Sequence, residues 1–160
     1  MADLNKLLSP LYLNDREIRK IIELMFFSYR DFTSGPDKIL EKLNFGRAHH
    51  RVIYFVGKKN NLTIKELLSI LKITKQSLSR VLNQLVKEKY IILSTGEDKR
   101  TKKLSLSKKG QDLEKKLSDI QIAKIYNVIK KFEEIDINGF KKVLFEMIDY
   151  DNQKKFDEIN

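Results

Sequence analysis

Two helix-start signals stand eleven residues apart in the stretch LTIKELLSILKITKQSL. In the first, Thr63 is placed to cap a helix, Glu66 can return a bond to that cap, and Leu62 can staple against Leu67. In the second, Thr74 is the cap, and Ile73 with Leu78 forms the staple. A chain that must begin a helix twice within so short a span makes two brief helices joined by a tight turn.

The flanking sequence builds around this helix-turn-helix. Asn14 caps a helix whose Ile18, Ile21, Ile22, Met25, Tyr29 and Phe32 share a face, and Leu13 is its staple residue. Thr33-Ser34-Gly35-Pro36-Asp37 is expected to end that helix, and a short helix with Ile39, Leu40 and Leu43 to follow. Residues 47–56 read as another helix with Gly57 as its C-terminal cap. Beyond the pair of capped helices, Ile91-Ile92-Leu93 and Lys102-Lys103-Leu104-Ser105-Leu106 read as two strands around a charged turn, a hairpin wing. Ser107 caps a long helix running to about Phe132, and a last helix begins near Asn138. The tail DNQKKFDEIN is expected to fray. The fold class is therefore mainly α with a small β-hairpin wing.

Residues 74–90 decide what the second capped helix is for. At about 100° per residue, Leu78, Val81, Leu82, Leu85 and Val86 fall on one arc, and Gln76, Arg80, Asn83 and Lys87 fall opposite. The polar arc carries no carboxylate; Glu88 lies to the side. Asn, Gln and Arg pair donors and acceptors in the geometry that base edges present in a major groove, and the short Ser79 permits close approach. A solvated surface helix would more commonly interleave Lys with Glu. Charge concentrates here too. The 160-residue chain has a formal net charge of +10 and a pI near 9.6, and residues 75–109 hold ten Lys and Arg against three Asp and Glu. Such a surface attracts a polyanion. Candidate DNA contacts are Thr74, Lys75, Gln76, Ser77, Ser79, Arg80, Asn83 and Lys87 on the helix, with Lys99, Arg100 and Lys102 on the wing. Asp98 is placed to pair with a nearby cation and hold the wing tip in shape.

Other chemistries find little support. The chain has no cysteine, which excludes disulfides, thiolate nucleophiles and zinc–thiolate centres. It has no Gly-rich phosphate loop, nucleophile elbow or H-x-x-x-H, so no enzyme and no cofactor are expected. His49 and His50 are the only histidines and point about 100° apart on a helix, which leaves them poorly placed to share a metal. No run approaches the ~18 apolar residues of a membrane span, nor does the start of the chain read as a secretory signal. A cytoplasmic protein is expected.

The string LTIKELLSILKITKQSLSRVLNQLVKEKYI followed by EDKRTKKLSLSKKG resembles the MarR family of bacterial transcription regulators. Asp98, Arg100, Leu106, Ser107 and Gly110 fit that family's wing-to-helix pattern, with Ser107 for the commoner Thr and Lys108 for the commoner Glu. FFSYRDFT, FGRAHHRV and TKQSLSRVL resemble more narrowly a branch labelled PetP-like, and the resemblance spans residues 14–150. It implies a winged helix-turn-helix plus an N- and C-terminal helical dimerisation layer. Residues 46–106 would form the DNA-binding lobe, and residues 1–45 and 107–160 the dimerisation region. Residues 75–89 would be the recognition helix, Arg100 the wing-tip arginine and Asp98 its partner. The partners implied are double-stranded DNA carrying an inverted repeat and a second copy of the chain.

The resemblance also implies a crevice for a small aromatic ligand, here lined by Phe26, Tyr29, Arg30, Arg47, His49, His50 and Tyr54. The alternative is that these aromatics are core, with Arg47 and Arg51 as ordinary surface or dimer-contact cations. The apolar content of LLSPLYL and of the last helix favours a dimer over a monomer whose core they cap. Two rival readings of the basic face are a winged-helix module for an acidic partner protein and a nonspecific DNA-coating protein.

Overall fold

The four predicted N-terminal caps all form. In the computed structural model, which describes residues 14–96 and 100–160, Asn14 Oδ1 accepts the Glu17 N–H at 3.0 Å and opens helix α1, Asp15–Glu41. Helix α2, Arg47–Lys58, leads to the two-residue strand β1, Leu62–Thr63. Thr63 Oγ1 then accepts the Glu66 N–H at 3.2 Å and starts α3, Ile64–Leu71. Thr74 Oγ1 accepts the Ser77 N–H at 3.1 Å and starts α4, Lys75–Lys87. Strands β2, Ile91–Thr95, and β3, Lys102–Leu106, form the wing. Ser107 Oγ accepts the Gly110 N–H at 3.0 Å and starts α5, Lys108–Ile129. Helices α6, Glu134–Glu146, and α7, Tyr150–Ile159, complete the described chain. The Leu13 staple, the LLSPLYL segment and residues 97–99 lie outside the described residues.

The cap at Thr63 is reciprocal. Glu66 Oε2 accepts from the Thr63 N–H at 2.8 Å and from the Thr63 hydroxyl at 2.7 Å, while Lys59 Nζ donates to Oε1 at 2.9 Å. Lys59 first, then the Thr63 donors, hold the Glu66 carboxyl down at about 2, against an ordinary value near 4.5. The folded chain thus releases this proton more readily than the unfolded one. The resulting stability is present above pH 4.5 and is lost as pH falls toward about 2. Because the side chain is 43% exposed, solvent screening keeps the effect small. Thermal melts should fall less steeply between pH 4.5 and about 2 for Glu66→Gln than for the parent chain.

Several boundaries differ from the sequence reading. Residues 33–37 do not end the first helix; α1 runs through Gly35-Pro36 to Glu41. Pro36 removes one backbone donor, but it is buried with Leu40, and packing compensates. Gly35 lets α5 come close: a Cβ there would stand 2.6 Å from Ile120 Cγ2. Nearby carbonyls find side-chain donors, with the Thr33 hydroxyl reaching Tyr29 O and Arg30 O at 3.1 Å, and Lys124 Nζ reaching Asp31 O. Gly57 is not a cap but lies inside α2, where a Cβ would meet Leu106 Cδ1 at 2.9 Å. α4 stops at Lys87, since Lys89 turns left-handed at φ 62°. α5 ends at Ile129 and the next helix begins at Glu134, four residues before Asn138.

The tail does not fray either. It forms α7, and Lys155 Nζ donates to Ser69 O of α3 at 3.2 Å. The wing has a third strand, for β1 pairs antiparallel with β3 in the order β1-β3-β2, placing Leu62 opposite Leu104. Ile91 faces Leu106 and Thr95 faces Lys102 across the hairpin.

Among the described residues, the buried core hydrophobics run from Leu40 to Leu117 and include Val52, Ile53, Leu67, Leu78, Leu85 and Leu104. Apolar side chains in the N-terminal half of α1 (Ile21, Leu24, Phe26, Phe27), the C-terminal half of α5 (Ile122, Tyr126, Val128) and α6 (Phe140, Val143, Met147) remain exposed in the single chain. The predicted face of α1 forms, but Ile21, Ile22, Met25 and Tyr29 on it stay exposed.

Candidate nucleic-acid interface

Helix α4 divides as its periodicity predicts. Leu78, Val81, Leu82 and Leu85 are buried and Val86 is partly buried, while Gln76, Ser79, Arg80, Asn83 and Lys87 are exposed. Burying four branched apolar chains fixes which arc faces out, because fully burying each is worth ~1.5–3 kcal/mol. At the start of the helix Thr74, Lys75 and Ser77 are exposed, and the Thr74 and Ser77 hydroxyls lie 2.8 Å apart. The free backbone donors of this first turn give it a partial positive charge, and no acid occupies it.

The turn before α4 adds a residue that sequence reasoning missed. Lys72 is exposed and left-handed, at φ 52°, two residues before the Thr74 cap. Tight turns at such positions usually call for Gly or Asn, so Lys carried no turn signal.

The wing lies beside the start of α5. Gly96 N–H donates to Thr101 O at 2.9 Å and closes the hairpin, and Arg100 and Lys102 are exposed. Asp98 and Lys99 lie outside the described residues.

Two cations counted in the local excess are engaged elsewhere. Lys108 pairs with Asp112 at 2.7 Å. Lys109 Nζ donates to Glu88 O at 3.0 Å and lies 4.0 Å from the Tyr90 ring centroid. Together with the Ser107 hydroxyl, which donates to Lys89 O at 2.6 Å, Lys109 ties the end of α4 to the start of α5. Gln84 is half-buried and turned away from the polar arc, accepting at Oε1 from His49 Nε2 at 2.9 Å. Glu88 is drawn aside with it, since Gln84 Nε2 donates to Glu88 Oε1 at 3.0 Å.

A cavity of about 610 Å³ lies between α1, α2 and α5. Tyr29, Arg47, His50 and Tyr54 line it, with Phe32, Thr33, Arg51 and Phe55. Its far wall, including Gln121, Ile122, Ile125 and Tyr126, comes from α5 and was not foreseen. Three predicted lining residues are elsewhere. Phe26 is 72% exposed, Arg30 pairs with Asp31 at 2.9 Å and sits over Phe27, and His49 turns toward α4. The alternative that the aromatics are core fails for Tyr29 and Tyr54, which are 50% and 39% exposed. Arg47 bonds Asp37 at 2.8 Å and lies over the Tyr29 ring at 5.6 Å, tying the end of α1 to the start of α2. Burial pushes the pKa of His50, which lines the cavity, below the ordinary imidazole value, favouring the neutral ring. Among the described residues no group of three or more His, Cys, Asp or Glu could hold a metal. No helix among them is long and apolar enough to cross a membrane.

A helix-turn-helix with a carboxylate-free outer face beside a cationic wing has the build of a winged-helix transcription regulator. Residues 43–101 match the MarR family. The chain is 42% identical over 140 residues to the HTH-type transcriptional regulator PetP of Rhodobacter capsulatus, covering 87% of this chain and 84% of that protein. It belongs to the MarR family: a DNA-binding transcriptional regulator rather than an enzyme. The fold agrees. It matches the crystal structure of MarR family transcription regulator SP03579 with a TM-score of 0.71 at 15% identity, over 82% of this chain and 88% of that one. It also matches a MarR family regulator from Listeria monocytogenes complexed with 26mer DNA, with a TM-score of 0.67 at 22% identity, over 78% and 84% of the two chains.

Proposed function

We propose that the chain is a homodimeric, sequence-specific regulator that reads an inverted repeat in double-stranded DNA. Helix α4 enters the major groove, where Gln76, Arg80 and Asn83 select bases and Ser79 lets the helix seat closely. Lys75, Lys87 and the hydroxyls of Thr74 and Ser77 position it on phosphates, and Lys99, Arg100 and Lys102 of the wing reach the backbone or minor groove. The observation that carries this reading is the exposed arc of α4, which bears amides and cations with no carboxylate.

The dimer is supported by the uncovered apolar faces of α1, α5 and α6. Residues 1–45 and 107–160 would form the dimerisation layer and residues 46–106 the DNA-binding lobe. Two-fold symmetry then sets half-sites about one duplex turn apart, ~34–36 Å. The cavity beside Tyr29, His50 and Tyr54 is of a size to take a small aromatic effector, and Arg51 on its wall would favour an anionic one.

Selection of bound fragments from a random duplex pool tests the proposal, with an enriched inverted repeat as the expected outcome. A flat pool would favour an acidic protein partner or nonspecific coating. With the operator in hand, Arg80→Ala should cost ~1–3 kcal/mol and relax the preference at one position, whereas Lys102→Ala should weaken all sequences alike. Equal losses on operator and random duplex for both variants would contradict this division of labour.

A further inference from the structure

We propose that His49 is a positioning residue for DNA recognition, setting the roll of α4 about its own axis through Gln84. This rests on the reading of α4 as the helix that enters the groove.

His49 is held at both ring nitrogens and on one ring face. The Gly46 N–H donates to Nδ1 at 3.1 Å, so in the neutral ring the proton sits on Nε2 and is donated to Gln84 Oε1 at 2.9 Å. The ring stacks on Phe45 with centroids 4.7 Å apart and planes 7° from parallel. Phe45 is buried, and its ring meets Tyr90 edge-on at 5.2 Å, just beyond the end of α4. Gln84 uses both ends of its amide, since Nε2 also donates to Glu88 Oε1 at 3.0 Å and to the Asn44 carbonyl at 3.4 Å.

The bond matters because of where Gln84 stands. It follows Asn83 directly and lies one helical turn after Arg80, on the flank between the buried arc and the exposed one. Apolar contacts beneath α4 hold it down but are non-directional. The His49–Gln84 bond is lateral and directional, and it opposes rotation of the helix in its bed. With a helix radius of ~5–6 Å including side chains, a roll of ~20° displaces the outward side chains by ~2 Å. That is enough to spoil a bidentate pair with a base while leaving phosphate contacts, which tolerate longer and less aligned geometry, largely in place.

The test compares His49→Asn, His49→Gln, Gln84→Leu and the His49→Asn/Gln84→Leu double variant of the full chain. Each is measured on the selected operator and on random duplex, with a melting temperature for each protein. Asn keeps an acceptor for the Gly46 N–H but is too short to reach Gln84; Gln places an amide N–H near the position of Nε2. The expected result is a ~3–10-fold loss on operator for His49→Asn and for Gln84→Leu, with no loss on random duplex. The double variant should be no worse than either single one, and His49→Gln should bind operator as the parent does. Operator binding at parental strength by both His49→Asn and Gln84→Leu, equal losses on the two duplexes, or additive losses in the double variant would overturn the proposal. Should His49→Asn fail to fold, Gln84→Leu and His49→Gln still decide it. Arg80→Ala in parallel separates the two readings: parental operator binding by that variant removes the groove-reading role of α4, whatever His49 does.

Discussion

Affinity for duplex DNA is expected to fall ~10³–10⁵-fold as monovalent salt rises from about 50 to about 200 mM. Each phosphate that a Lys or Arg neutralises releases condensed counterions, and raising the salt penalises that release. Five cations of each chain, Lys75, Lys87, Lys99, Arg100 and Lys102, carry the proposed phosphate contacts, which makes ten in a pair. With ~6–10 of these engaged at once, log affinity against log salt should have a slope of roughly −5 to −9. The structure sharpens the expectation by setting one neighbour aside. Lys109 is bonded to Glu88 O and lies over the Tyr90 ring, so Lys109→Gln should leave the slope alone even if it alters stability. Lys75→Gln should flatten it by ~1 for each contact removed. Binding isotherms at four salt concentrations suffice. A slope near zero would mean that the basic face does not carry the affinity.

Gly110→Ala, at the start of α5 where it abuts the winged lobe, should be among the most destabilising single substitutions in the chain. A Cβ at this position would stand 2.1 Å from Tyr90 O and 3.1 Å from Tyr90 C, which are backbone atoms that cannot swing away. That carbonyl also accepts the Ser107 N–H at 3.0 Å and is reached by the Ser107 hydroxyl at 3.2 Å. Moving the strand-start backbone therefore breaks the junction at which α4, β2 and α5 meet. Overpacking of this kind costs ~3 kcal/mol or more, which for a chain of this size lowers the melting temperature by ~6–12 °C. Thermal unfolding by circular dichroism checks the figure. A loss below about 1 kcal/mol would mean that α5 can slide outward without cost.

What could be read in the chain beforehand follows the range of the interactions involved. The caps at Asn14, Thr63, Thr74 and Ser107 were legible because each bond closes over three residues, and the sequence states both partners. The outward arc of α4 was legible for a related reason, since periodicity alone fixes which side Leu78 and Leu85 bury. Distant partners were not legible. Pro36 reads as a helix breaker until Ile120, more than eighty residues away, is seen packed against the adjoining Gly35. Strand β1 has only two residues, too few for alternation to register, and needs β3 to exist. α7 joins polar and aromatic residues whose anchors, Ser69 and Phe145, lie on other helices. Within the site, Lys109 counted toward the basic face by composition; only its bond to Glu88 O, twenty-one residues back, draws it aside. The wall that α5 gives the cavity, and the turning of His49 out of it, belong to the same class of long-range facts.

The passage of α1 through Gly35-Pro36 makes it a single rod of 27 residues, ~40 Å long. Ile120 presses on that rod at Gly35, close to one end, and so acts as a fulcrum. A tilt of only ~5° there would sweep the opposite tip at Asp15 through ~2–3 Å, by the ~1.5 Å rise of each intervening residue. Small rocking motions near the winged lobe would thus be magnified at the far end of the lever.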